Sequence, residues 1–282
     1  MIIDFHTHTF PDKIASAAVS KLAAMSHTRP FLDGTAGQLS AAAKRAGVDL
    51  SIVLPVATSP KQVAHINDRA AQANEEVGKT GLFSFGCIHP DYAGWKEELG
   101  RIAELGLKGI KIHPVYQEAA IDDPRFLHIL ERAGELGLIV VTHAGFDIGY
   151  SGVELCSPEM VLRALKQVGP VKLVLAHMGG WQQWDKVKEL LADQQVWLDT
   201  AFSTGPLTPL EPGDPFLKGL FMLDEAGFLS MVDTFGAGRL LFGTDSPWSP
   251  QKESIDWLRA LPLPDGEIQA ILGGNAQELL KL

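Results

Sequence analysis

The chain has 282 residues, of which 46% are hydrophobic and 21% charged, with 28 Gly and 17 Pro; this supports a large folded core and excludes a disordered or collagen-like protein. With 24 Lys+Arg against 34 Asp+Glu and a formal charge of −10, it offers no cationic footprint for a phosphate backbone or an anionic bilayer, so neither nucleic acid nor membrane is an expected partner. Only Cys87 and Cys156 are present, and the opening Met-Ile-Ile-Asp-Phe-His has no basic segment leading into an apolar one, which points to a cytoplasmic, disulfide-free setting.

The first apolar, β-branched run, Ile2 to His6, predicts a strand, and Ser26 to Gly47 predicts an added helix before a second strand at Leu50 to Val56. Ser59-Pro60 places a capping hydroxyl before a proline at the first helical position, a helix start that precedes a third strand at Leu82 to Ile88. A fourth strand follows at Leu107 to His113. Asp123-Pro124 then opens a helix before the fifth, Leu138 to His143, and Ser157-Pro158 one before the sixth, Val171 to His177. The seventh is Val196 to Thr200. Thr200 to Arg239 holds a Pro/Gly-rich loop, a candidate lid, and then a helix before the eighth strand, Leu240 to Asp245. Gly47, Gly81, Gly106, Gly137 and Gly169 fall just before strands, where a left-handed residue ends a helix. All these apolar runs are far shorter than the roughly 20 residues that span a bilayer.

Eight strands alternating with helices, each strand apolar on both faces, predict parallel βαβ units closed into one (β/α)₈ TIM barrel, an α/β fold read as one domain over residues 1–282. The alternative, an open doubly wound sheet, calls for a glycine-rich phosphate loop after the first strand. Here that turn reads His-Thr-His-Thr-Phe-Pro and cannot cradle a pyrophosphate.

In this fold the strand C-termini open onto one face, where active sites lie. His6 and His8, two residues apart, share a strand face. His143, His177 and Asp245 end the fifth, sixth and eighth strands, so five ligand-type side chains converge. Imidazoles with a carboxylate suit one divalent transition ion, zinc first, with manganese, iron or cobalt as alternatives; calcium and magnesium prefer oxygen alone.

These residues resemble the amidohydrolase superfamily, specifically its amidohydrolase-2 branch, which contains hydrolases and aminocarboxymuconate-semialdehyde decarboxylase-like enzymes. Asp4-Phe5-His6-Thr7-His8-Thr9-Phe10-Pro11 is similar to the family's opening motif, and Gly109-Ile110-Lys111-Ile112-His113-Pro114 to its fourth-strand signature. Thr142-His143-Ala144-Gly145, Ala176-His177-Met178-Gly179-Gly180 and Phe242-Gly243-Thr244-Asp245-Ser246-Pro247 resemble the fifth, sixth and eighth, and Asn275-Ala276 its ending. The resemblance implies that His6, His8, His143 and Asp245 hold the metal, with His177 either a fifth ligand or a catalytic group. The fourth strand lacks the glutamate with which the related TatD-like deoxyribonucleases bridge two metals, which counts against a two-metal phosphoesterase.

Lys111 shares a strand face with Gly109 and His113. It is read as a cation that pairs at the barrel mouth or holds an acidic substrate; the alternative is a carboxylated lysine bridging two ions, as in the phosphotriesterase-like branch. His113 is a second candidate for substrate contact. His27, His65 and His128 are read as solvated or structural. His89, which like His113 precedes a proline just past a strand, is placed near the mouth with substrate contact as its less favoured reading, and Trp181, Trp184 and Trp248 either wall the pocket or cover the barrel end.

The expected activity is hydrolysis of an amide or lactone bond in a small carboxylated substrate, with Asp245 moving the proton of the attacking water and His177 acting as acid or oxyanion stabiliser. The alternative on the same scaffold is non-oxidative decarboxylation or a hydro-lyase reaction. The related decarboxylases carry larger insertions, for which this chain has little room, so hydrolysis is preferred. A metal-binding protein without turnover is the third reading. The expected partner is a small-molecule substrate, and a homo-oligomer is compatible with the chain.

Overall fold

A computed structural model describes all residues from Met1 to Leu282. The strands are β1 (Ile3–Thr7), β2 (Leu50–Val53), β3 (Leu82–Ser84), β4 (Gly86–Cys87), β5 (Gly109–Ile112), β6 (Ile139–Thr142), β7 (Lys172–Leu175), β8 (Val196–Asp199) and β9 (Leu240–Leu241). Each ladder is parallel, with β1-β2-β3 in one run and β4 through β9 in another. The third expected strand is therefore two. The chain hands over at Phe85, whose N–H donates to the Val53 carbonyl at 2.9 Å, after which Gly86 and Cys87 pair with Ile110 and Lys111. At the other seam Phe5 N–H donates to Phe242 O at 2.7 Å and Asp245 N–H to His6 O at 2.8 Å, with a parallel bridge from Thr7 to Ser246. The eight expected strands thus close into a TIM barrel, as the alternation of strand and helix predicts.

Ile3, Phe5, Ile52, Phe85, Ile139, Val141, Val174 and Leu241 fill the barrel interior, and Ala276, Leu279 and Leu280 of the C-terminal helix join them. The Phe85 ring occupies the space that a side chain on Gly109 would need. On the outer face a larger cluster, including Ile110, Ile112, Val140, Leu173 and Leu198, packs against the surrounding helices. The two strand faces are thus both buried, which is why the strands read as continuous apolar runs.

Ser59, Asp123 and Ser157 cap helices as expected: Ser59 in a capping box, Asp123 accepting from Arg125 N–H and Ser157 from Met160 N–H. Gly47, Gly81, Gly106 and Gly137 take the left-handed conformation, whereas Gly169 does not. Before it, α-helix Pro158–Leu165 has already ended at Lys166 in right-handed geometry. Two helices, α1 (Asp12–Ser26) and α2 (Ala36–Ala46), lie between β1 and β2, the second with Thr35 as its N-cap. Helix α3 (Val63–Asn74) follows β2. The long loop after β8 is tied to the end of α1, where Arg29 N–H donates to Thr208 O and Leu210 N–H to His27 O, both at 2.9 Å. His27 Nδ1 meets Asp214 at 2.6 Å and the His27 ring stacks on Phe216. No helix is long and apolar enough to cross a membrane.

Candidate metal centre

A β-bulge between Asp4 and Thr7 shifts the register of β1. It lets two consecutive side chains face inward, which an unbroken strand forbids: Phe5 joins the interior core while His6 turns into the polar mouth above it. His6 Nε2, His8 Nε2 and Asp245 Oδ1 then converge, with His6–His8 at 3.1 Å, His8–Asp245 at 3.0 Å and His6–Asp245 at 3.4 Å.

Their outer contacts decide which atoms face the centre. His6 Nδ1 lies 2.7 Å from Asp199 Oδ2 and His8 Nδ1 lies 2.9 Å from the Leu54 carbonyl. Both partners are acceptors, so each Nδ1 carries the proton and each Nε2 turns a lone pair inward. Burial, reinforced by the Lys111 charge, pushes the His6 imidazolium well below its usual range. Burial acts to raise the Asp245 carboxyl, but the His8 contact and the surrounding imidazoles outweigh it and bring it to about 2. Three acceptors facing one point require a proton or a cation between them, and of the three only His6 Nε2 has the Lys111 amine within reach, at 3.4 Å.

His143 and His177 extend this cluster without entering the same triangle. His177 Nδ1 donates to the Ala201 carbonyl at 2.9 Å, and its Nε2 lies 3.1 Å from His143 Nδ1. The far nitrogen of His143, Nε2, is buried with no hydrogen-bond partner. The His177 ring stands 5.4 Å from that of His6. His113 stacks on His143 at 4.4 Å and on Tyr116 at 3.7 Å, and its Nε2 faces Asp147 at 3.4 Å. His113, His143 and Asp147 form a second group of ligand-type atoms beside the first. Burial pushes Asp147 up to about 6.

Lys111 is only 1% exposed and its Nζ lies 3.4 Å from His6 Nε2. Burial pushes its ammonium down to about 8, with Asp199 and Asp245 acting against the shift. No carboxylate pairs with it directly, so the simple ion pair at the barrel mouth is not what holds this lysine.

Asp199, which sequence reading passed over, ends β8 at the strand position that marks the other site residues. One of its oxygens accepts from His6, and the other from the backbone N–H groups of His177 (3.0 Å) and Ala201 (3.1 Å). Asp4, also unremarked, accepts from Thr244 and Gln251 behind the site. Asp245 and His177 both sit at positive φ, 63° and 59°, a conformation non-glycine residues adopt at a cost and that concentrates at functional sites.

Of the tryptophans, Trp181 and Trp248 line the cavity at this mouth. Trp184 is buried beneath it, its Nε1–H donating to the His177 carbonyl at 3.0 Å. His65 also lines the cavity, on its outer side. His128 stacks on Trp95, and His89 Nδ1 accepts from the Asp91 N–H, both away from the centre.

The family model described as Amidohydrolase matches residues 3–282 of this chain. Among solved structures, the chain is similar to an uncharacterized TIM-barrel protein from Bordetella bronchiseptica, at 18% identity and a TM-score of 0.73 over 99% of this chain and 98% of that one. It is similar to 5-carboxyvanillate decarboxylase from Novosphingobium aromaticivorans with bound manganese, at 14% identity and a TM-score of 0.70 over 100% and 97%. It is also similar to a probable 2-pyrone-4,6-dicarboxylic acid hydrolase from Acinetobacter baumannii with citric acid bound, at 16% identity and a TM-score of 0.66 over 100% and 99%. At these identities the likenesses show the fold. No curated protein matches the chain.

Proposed function

The chain belongs to the amidohydrolase family, and from that premise we propose that it is a metal-dependent hydrolase, working as one domain over residues 1–282, that cleaves an amide or lactone bond of a carboxylated substrate. The observation that carries the metal is the convergence of two imidazole lone pairs and one carboxylate oxygen on a single point. His6, His8 and Asp245 would hold the ion. His143, which stands outside that triangle beside His113 and Asp147 but has an unpartnered buried nitrogen, is assigned as the fourth donor. The donor set suits zinc, manganese, iron or cobalt, and the manganese in the Novosphingobium decarboxylase puts that ion on an equal footing with zinc. Such an ion supplies a Lewis acid that polarises a substrate oxygen and lowers the pKa of a coordinated water toward about 7.

The chain's own groups divide the remaining work. Asp245, fully ionised at neutral pH, accepts the proton of the attacking water. Asp245 then passes that proton to Nε2 of His177, which is fixed through its Nδ1–H by the Ala201 carbonyl and turns the Nε2 lone pair toward the cluster, and His177 delivers it to the leaving group. Lys111 and His113 meet the substrate from the β5 side, Lys111 offering its amine to a substrate oxygen and His113 an imidazole held between Tyr116 and His143.

Non-oxidative decarboxylation is the second reading, and the similarity to a decarboxylase supports it. The match covers 97% of that decarboxylase chain, so little of it lies outside, and size does not separate the two reactions. A panel of lactones and N-acyl compounds assayed beside aromatic and unsaturated acids, with CO₂ release followed in parallel, tests the choice. Metal-dependent opening of a lactone or amide is expected. Metal-dependent CO₂ release without any hydrolysis would transfer the case to decarboxylation.

A further inference from the structure

The cavity at the barrel mouth continues past the metal-facing side chains. Its volume is about 1170 Å³, above the roughly 300–1,000 Å³ of an ordinary small-molecule pocket, and its outer part runs between α1 and α3. Ile14, Ala18 and Leu22 recur every four residues along α1, and Ile66 and Ala70 do the same on α3. Each set is a helical stripe turned to the cavity. On α3, Ala70 is buried in the core and Ile66 packs against it, whereas on α1 Ile14 remains 53% exposed and Ala18 and Leu22 are half-buried, so the open apolar wall is chiefly that of α1.

The charge of the groove is reversed relative to the rest of the molecule. Lys13 and Lys21 on α1 and Arg69 on α3 line it, in a chain with a formal charge of −10. Of the three acidic residues around the cavity, Asp147 and Asp245 belong to its inner end and only Asp12 to the outer part. The ion pairs of the molecule use other cations, such as Arg101 with Asp68 and Glu98 and Arg125 with Asp91 and Asp123. Lys13, Lys21 and Arg69 have no such partner.

We propose that this groove binds the remote part of an elongated, amphipathic substrate, an apolar chain lying between α1 and α3 and ending in a carboxylate held by Arg69 and Lys21. The reacting group lies at the inner end. That placement rests on the metal-dependent reading above, while the groove's own binding does not need the ion. A planar guanidinium and an ammonium bordering one groove are suited to a terminal carboxylate, and the apolar stripes reward each methylene laid along them.

The test is calorimetric titration with a series of α,ω-dicarboxylates from succinate through adipate to sebacate, on the metal-loaded protein and again after chelation. Affinity should rise about two- to fourfold per methylene and should do so in both preparations. Arg69→Gln, on the surface of α3 and no threat to folding, should weaken sebacate at least tenfold while leaving succinate unchanged. Ala18→Trp, which fills the groove, should abolish the chain-length dependence. Affinity that does not depend on length, or sebacate binding unaffected by Arg69→Gln and Lys21→Gln together, would overturn the proposal. Length-dependent binding in a protein that takes up no metal would uphold the groove and reject the metal-dependent reading; metal uptake with length-independent binding would do the reverse.

Discussion

His6 and Asp199, 193 positions apart in the chain, meet at 2.7 Å through His6 Nδ1 and Asp199 Oδ2, both fully buried. A carboxylate can only accept there, so the contact selects one tautomer of His6 and leaves Nε2 free to face His8 and Asp245. The other oxygen of Asp199 receives the backbone of His177 and Ala201. One side chain therefore sets both the orientation of a metal-facing imidazole and the path of the turn that carries the proposed acid.

Asp199→Asn is expected to weaken metal affinity about 10- to 100-fold, the usual scale for loss of an outer partner of a ligating histidine. Competition with a chromogenic chelator measures this. A variant with wild-type affinity would remove the tautomer argument.

His177→Asn should retain most of the metal and lose on the order of 10²-fold or more in turnover. His143→Asn should lose metal, because its unpartnered nitrogen is assigned to the ion. Metal analysis of the two purified variants beside their kcat values checks both assignments, and loss of metal in His177→Asn would make His177 a ligand.

Gly145 has φ +85°, and a Cβ there would run into Gly180 and the backbone of Trp181. Around it, Gly145 N–H donates to Cys156 O at 2.9 Å and Trp181 N–H to Ala144 O at 3.0 Å. Gly145→Ala should cost about 1–3 kcal/mol through overpacking and an unfavourable backbone, read from the urea midpoint. An unchanged midpoint would show that the loop after His143 yields freely.

Cys87 and Cys156 are both fully buried, and burial pushes each thiol up to about 12. The raised value keeps both protonated, and thus poor nucleophiles, at neutral to mildly alkaline pH. Neither should react with a disulfide reagent at pH 8 until denaturant is added. Rapid labelling of the native protein would contradict the packing around them.

The strand ends were legible because metal-facing residues occupy a repeated local position, the last residue or two of an apolar run, and His6 and His8 at i and i+2 share a face. What was not legible depends on contacts between distant segments. The register shift that turns His6 inward beside Phe5 arises where β1 pairs with β2, and nothing in the tripeptide Asp4-Phe5-His6 announces it. Asp199 carried the local signal, a carboxylate closing a strand, but its role appears only when closure of the barrel brings β8 and β1, with β9 alone between them, to one mouth. The break between β3 and β4 is similar: Leu82 to Ile88 reads as one apolar run, but its pairing changes at Phe85, whose N–H still donates to Val53 while Gly86 and Cys87 pair with β5. The groove cations were invisible for a further reason. Lys13, Lys21 and Arg69 read as ordinary solvated helix residues until α1 and α3 are seen to face each other across a cavity.

Lys111 invites a separate check, because its amine stands within reach of His6 and of the charge fields of Asp199 and Asp245. An intact-mass spectrum of the native protein is expected to show the free amine, and Lys111→Met should raise KM for acidic substrates at least tenfold. A mass increment of one CO₂ on this residue would instead support a carboxylated, two-ion site.

The central claim is that His6, His8 and Asp245 hold a divalent ion on which activity depends, and elemental analysis tests it most directly. Protein produced in medium supplemented with zinc or manganese should contain about one divalent transition ion per chain, and Asp245→Asn should lose that ion, as should exhaustive chelation, with activity restored only on adding metal back. Protein free of transition metal that retains full activity after chelation would contradict it.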